Sequence, residues 1–292
     1  MAATSEQREL GAFLKARRAR LTPDAVGLRP PREDYRKVAG LRREEVAALA
    51  CISVDYYTRL EQGRVRASAS VLAALSTALR LDDDQQAYMY RIARKSSERP
   101  SRRRPAQSVR RASSRLLEQL TVTPAVVLGR RLDILAWNLG AEALYGDFAR
   151  VPTGRRNYVR LLFGDPAFRG MHEQWEHDAR EAVAALRMEA AADPDDPELA
   201  RLVGELSVQD DDFRAWWAEH RVSGSGHGTK HYRHPLVGPL VLDCDTWNSP
   251  DGSGQRLMVL SAEPGTPSYD ALGILTAWAA ERQRPAEATS DG

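Results

Sequence analysis

Apolar positions along this chain recur in two rhythms. Over the first hundred residues they return every three or four places, the period of helices that bury one side. Leu10, Phe13 and Leu14 mark one face of a helix over 6–20, with Arg17, Arg18 and Arg20 toward its C-terminal end. Leu41, Val46 and Leu49 mark a short helix. Ser53 then has the side chain to cap another by offering its oxygen to a free backbone N–H. In that second helix Tyr57 and Leu60, three apart, point to the core, and Gly63 follows where a left-handed residue ends the helix. Val71, Leu72, Leu75 and Leu79 give a helix over 68–80; Tyr88, Met89 and Ile92 give one over 82–96, with three aspartates favouring its N-terminus. Five helices of this size close one small core, so an all-α domain over residues 1–98 is expected.

The rhythm then changes. After a helix over 113–120, short apolar runs at 125–128 and 132–137 flank a Gly-Arg-Arg turn, which predicts a hairpin. Asn138 starts a helix that ends near Phe148, and the apolar stretch 158–163 follows. A single long helix from about 166 to 192 is expected next, then helices over 197–208 and 210–220. Three strands over 229–233, 237–244 and 256–262 close the pattern, the last two turned by Asp251-Gly252-Ser253-Gly254. Two strands, a helical insert and three strands make an α+β domain with one antiparallel sheet over 113–280. Residues 99–112, rich in arginine and interrupted by Pro100 and Pro105, read as a basic linker, and 281–292 as a flexible tail.

Length and charge sharpen this division. The 292 residues suit two ordinary domains. The net charge of +2 conceals an asymmetry: residues 1–115 carry 25 Lys/Arg against 13 Asp/Glu, and the remainder carries 17 against 27. A basic half joined to an acidic half points to a nucleic-acid-binding module tied to a module of another kind. No apolar run approaches the roughly 20 residues of a membrane span, and a signal-peptide core is lacking at the start. Cys51 and Cys244 are far apart, so a structural disulfide is not expected and a cytoplasmic setting fits.

The short helix after Ser53 leaves Val54, Asp55, Tyr56, Thr58 and Arg59 facing outward, a shape that suits a duplex major groove. The stretch Leu41-Arg42-Arg43-Glu44-Glu45-Val46-Ala47, followed by Tyr56-Tyr57-Thr58-Arg59-Leu60-Glu61-Gln62-Gly63-Arg64, resembles the helix-turn-helix of lambda-repressor/Cro-like (XRE) regulators and, within them, the MmyB-like branch. Two places depart from that pattern: Cys51 stands where Gly is usual, and Ala67-Ser68-Ala69-Ser70 where Pro is common. Cysteine keeps the turn provided its backbone stays out of the left-handed region. The C-terminal half resembles the same family's PAS-like sensor through Leu135-Ala136-Trp137-Asn138, Leu162-Phe163-Gly164-Asp165-Pro166, Leu186-Arg187, Trp216-Trp217-Ala218-Glu219-His220 and His234-Pro235-Leu236-Val237-Gly238.

The resemblance implies a transcription regulator that binds double-stranded DNA as a homodimer, on half-sites about one helical turn apart. Arg43, Arg59 and Arg64 would meet phosphates and Val54, Asp55, Tyr56 and Thr58 would lie nearest the bases, with Arg42 and Ser53 completing the DNA-binding set. Asp55 either accepts from a cytosine or pairs with Arg59 at i+4. Arg29, Arg32, Arg36 and Lys37, in the long linker 22–40, suit either an arm on DNA or a solvated loop. The resemblance also implies a small hydrophobic ligand, such as a fatty acid, in the second domain. Trp137, Tyr158, Trp175, Phe213, Trp216 and Trp217 are its candidate lining, although aromatic residues at such spacing are more often plain core. Arg187 or His220 are candidates to hold a carboxylate head, against the plainer roles of a salt bridge and a helix cap.

A competing reading is a metal-dependent enzyme with an accessory helix-turn-helix, built on His227, His231 and His234. A strand puts His231 and His234 on opposite faces, and His227 falls in a Gly-rich stretch read as loop. Neither a completing carboxylate nor a nucleophile elbow is present. No metal, cofactor or catalytic residue is therefore assigned.

Overall fold

The computed structural model describes residues 4–28, 39–94, 107–191, 193, 195–223 and 226–283. The chain divides into two compact units, Met1–Arg102 with Val183–Gly224, and Arg103–Ala182 with Ser225–Gly292.

The first unit contains the five expected helices: α1 (Ser5–Arg20), α2 (Arg43–Leu49), α3 (Val54–Glu61), α4 (Ala69–Ala78) and α5 (Asp83–Arg94). Thr4 starts α1 with a reciprocal bond pair, its hydroxyl accepting from the Gln7 N–H and the Gln7 side chain from the Thr4 N–H. Phe13, Leu14, Tyr57, Leu75, Leu79 and Tyr88 are fully buried together. Gly11 permits α1 to cross the end of α3: a Cβ there would sit 2.4 Å from the Glu61 carbonyl oxygen. The unit is larger than five helices, however. It also takes in the end of α10 (Trp175–Ala190), then α11 (Pro197–Gln209) and α12 (Asp211–Ala218), and Met188, Ala191 and Val222 are buried in the same core as Phe13 and Tyr88. Asp196 and Asp210 cap α11 and α12. The residues Arg29, Arg32, Arg36 and Lys37 of the expected arm lie outside the described residues, as do 99–106 of the expected linker.

The second unit holds α6 (Arg111–Gln119), β1 (Ala125–Leu128), β2 (Ile134–Trp137), α7 (Leu139–Tyr145), α8 (Tyr158–Gly164), α9 (Pro166–Met171), the start of α10, β3 (His227–His234), β4 (Gly238–Asn248), β5 (Arg256–Ser261) and α13 (Pro267–Gln283). The sheet has the order β2-β1-β5-β4-β3, with every pairing antiparallel. Asn138 fixes the exit from β2. Its side-chain oxygen accepts from the Ala125 and Ala141 N–H groups, tying the sheet to the start of α7.

Three expectations are corrected here. The single helix over 166–192 is two, because the chain leaves helical geometry at His172 to bridge Tyr232 of β3, and the Glu173 N–H donates to the His231 carbonyl at 2.9 Å. His227 opens β3 and does not lie in a loop. Helix α13 was not expected, and it carries the described chain through Gln283, into the stretch assigned to a tail. Leu272, Leu275 and Ala279 are buried on one side of it while Ile274 and Trp278 are exposed on another, so its apolar residues follow no single stripe.

Candidate functional site

The α2–α3 pair presents a surface shaped from below by its core. Val46, Ala47, Tyr57 and Leu60 are buried, which turns Val54, Asp55 and Arg59 outward. The Ser53 hydroxyl accepts from the Tyr56 N–H at 3.1 Å, so its first task is to cap α3. Tyr56 is half-buried, and its hydroxyl donates to the Arg66 carbonyl at 3.0 Å, tying α3 to the basic loop that follows. Gly63, at φ 66°, ends the helix as expected.

Charges on this surface are of two kinds. Arg59 and Asp55 form the i+4 pair at 2.8 Å, both largely exposed. Arg43 instead gives its Nε–H to Glu61 at 2.7 Å, and Arg18 reaches the other oxygen of the same carboxylate at 2.6 Å. Burial alone would raise the Glu61 carboxyl, but the two guanidinium groups more than offset it and hold the group below its usual range. Glu61 thereby fastens α1 and α2 to the end of α3. Arg64 is exposed on the loop after Gly63, and Arg42 is half-buried at the start of α2, its N–H donating to the Glu45 carboxylate.

Cys51 departs from expectation. Its φ is 52°, inside the left-handed region, with its N–H donating to the Ala48 carbonyl. The condition for an unstrained cysteine fails, and the turn is kept at the cost of placing a Cβ where glycine is preferred.

A second cluster lies deeper in the same unit. Arg187 of α10, 2% exposed, donates through Nη1 to Glu9 of α1 at 2.7 Å and through Nη2 to the Trp217 carbonyl, and its guanidinium lies 4.0 Å from the Trp217 ring centroid. His220 Nδ1 is 3.1 Å from Arg187 Nη1 and 3.3 Å from Glu9 Oε1, while the Tyr88 hydroxyl donates to that oxygen at 2.5 Å. Burial alone would raise the Glu9 carboxyl; the His220 hydrogen bond, the Arg187 charge and the Tyr88 hydroxyl reverse this and hold it at about 2. Arg20 pairs with Glu219 in a more exposed setting, and Arg91 donates to the Met188 carbonyl. Glu9 carried no local sequence signal, and Tyr88 only that of a helix's apolar face; each lies far along the chain from Arg187 and joins its cluster only in the fold.

The candidate ligand-lining residues divide between the units. Phe213, Trp216, Trp217, Arg187 and His220 belong to the helical one, where Phe213 stacks on Trp217 at 5.9 Å. Trp137, Tyr158 and Trp175 belong to the sheet-bearing one. There Tyr158 joins Tyr145, Phe168, His172 and Tyr232 in a set of touching rings, and Tyr145 and Tyr232 share a 2.7 Å hydrogen bond. Trp175 donates its indole N–H to the Leu162 carbonyl, with Arg169 stacked 3.4 Å over its ring. Trp137 is half-buried against Phe148.

The histidines do not converge. His234 is buried and its Nδ1 accepts from the Leu236 N–H, whereas His231 lies three residues earlier on the opposite face of β3. Among the described residues no group of three or more His, Cys, Asp or Glu is placed to hold a metal ion. Burial pushes the Cys244 thiol up to about 11, which removes the thiolate a nucleophile needs.

Comparison with known proteins assigns both parts. A helix-turn-helix domain family matches residues 9–89, and the MmyB-like transcription regulator ligand binding domain family matches residues 109–275. No curated protein matched. Among the described residues no helix is long and apolar enough to cross a membrane. The matched families are those of transcription regulators, with a DNA-binding module at the N-terminus and a ligand-binding module after it, and the chain belongs to the MmyB-like transcription regulators.

Proposed function

We propose that this regulator binds its operator as a homodimer, with the exposed face of α3 in the major groove. Val54, Asp55 and Thr58 lie nearest the base edges, Ser53 and Tyr56 set the angle of the helix, and Arg42, Arg43, Arg59 and Arg64 meet phosphates. The observation that carries this is the orientation of α3: Tyr57 and Leu60 are buried while Val54 is 44% exposed beside Asp55 and Arg59. Arg59 exchanges Asp55 for a phosphate on docking. Selection of duplexes from a random pool by the full chain at low ionic strength tests it. Two related half-sites about ten base pairs apart are expected, with the preferred bases altered by Thr58→Ala. A pool that remains unenriched would sink the reading.

The second unit is read as a PAS-like sensor for a small hydrophobic ligand such as a fatty acid. Its support is the 2-1-5-4-3 antiparallel strand order, the ring-lined interior and the family match. Trp137, Tyr158 and Trp175 serve the ligand's apolar chain. Arg187 and His220 sit in the helical unit, where Glu9 already meets both. Native mass spectrometry of protein isolated from its own host would show a co-purifying lipid; a ligand-free chain that also ignores dodecanoate would remove the fatty-acid reading.

A further inference from the structure

A cavity of about 140 Å³ opens within the helical unit, among residues of α1, α10, α11 and α12. Its lining includes Ala190, Ala191 and Ala200, so the space exists where side chains stop at Cβ. Leu199, Val203 and the Trp217 ring add apolar wall; Ser5, Glu9 and Arg187 are the polar lining. Ala200 is exposed and Ala191 buried, so the cavity runs inward from a solvent-facing rim.

Charge and hydrogen bonding restrict what fits. Glu9 and Arg187 neutralise each other at 2.7 Å, which leaves the lining without net charge. Glu9 stays ionised, so an incoming carboxylate would face a like charge in a partly desolvated place. Arg187 already gives Nη1 to Glu9 and Nη2 to the Trp217 carbonyl, and its Nε is buried out of reach of a water-sized atom. A dry cavity of about 150 Å³ holds a benzene ring, and this one is close to that size.

We propose that this cavity is a binding site for a small uncharged molecule, about one six-membered ring in size. The site needs neither the sheet nor a carboxylate, so it stands apart from the fatty-acid reading. Its occupant would touch α1, the helix whose Gly11 lies against the end of α3, and would shift the reader to the extent that it binds one arrangement of these helices more tightly.

Cyclohexanone and cyclohexanecarboxylate, one ring with an uncharged and a charged oxygen group, are the probes, titrated into the full chain by calorimetry and saturation-transfer NMR. Saturable binding of cyclohexanone at one site is expected, at least tenfold tighter than the carboxylate. Ala190→Phe should abolish that binding while leaving dodecanoate binding intact; Ala200→Trp is the second filled variant if Ala190→Phe does not melt cooperatively. No saturable binding to the parent chain, equal affinity for the two probes, or undiminished cyclohexanone binding in a folded filled variant overturns the proposal. Loss of dodecanoate binding in a folded filled variant overturns it too, because the cavity would then serve an anion.

Discussion

Two arginine–carboxylate pairs in the helical unit have nearly the same length and opposite meanings. Arg59 and Asp55 meet at 2.8 Å on the face of α3, with side chains 55% and 70% exposed. Arg187 and Glu9 meet at 2.7 Å with side chains 3% and 28% exposed. Water screens the first, so it is worth at most about 1 kcal/mol and opens easily; that is the state in which an arginine can be handed to a phosphate. In the second, both groups have lost much of their hydration, and His220, Tyr88 and the Trp217 carbonyl supply what water gave up. Contact distance is therefore a poor guide to an ion pair's role, and the surroundings decide it.

The most severe way to break the comparison is to remove one buried partner. Arg187→Ala leaves the Glu9 carboxylate without its cation and should cost about 3–5 kcal/mol of stability, read as a fall in the urea midpoint of the full chain. A loss below about 1 kcal/mol would show that the two pairs do not differ. Acid should act on the same pair. The folded-state value of Glu9, about 2, lies below its ordinary 4.5, so its contribution is complete above about pH 4.5 and is lost as pH falls toward 2. The loss amounts to at most about 3 kcal/mol, and Glu9→Gln should flatten this part of the pH–stability profile. An unchanged profile in that variant would shift the acid sensitivity to other carboxylates.

Smaller changes sharpen the exposed side. Cys51→Gly relieves the left-handed cysteine and should stabilise the helical unit by about 1 kcal/mol; a lower thermal midpoint would mean that the thiol packs better than its φ suggests. Arg59→Ala should alter stability by less than about 0.5 kcal/mol, yet weaken DNA binding and reduce the salt slope by about one. If affinity and slope stay as they were, Arg59 makes no phosphate contact and its pair with Asp55 persists on DNA.

Much of the helical reader was legible because its signals are local. The Ser53 cap, the Tyr57–Leu60 spacing and Gly63 act within one or two turns of chain, and each is found where the spacing placed it. The five strands were legible for a similar reason, since short apolar runs between turn residues have few other ways to fold. Helix α13 escaped notice because Ile274 and Trp278 are exposed on a helix that also buries Leu272 and Leu275, which blurs the stripe. The break between α9 and α10 escaped because its cause is Tyr232, sixty residues later in sequence number.

The sequence by itself determined a helix-turn-helix with α3 facing outward, a charge division between the halves of the chain, and an antiparallel α+β module. Tertiary structure alone decided that Val183–Gly224, inside the stretch matched by the ligand-binding family, folds into the compact unit of the DNA reader. It also decided that Arg187 serves Glu9. Caps and periodicities are settled by neighbours a few bonds away, whereas a buried charge is settled by whichever opposite charge the packed core carries to it, and no spacing along the chain records that meeting.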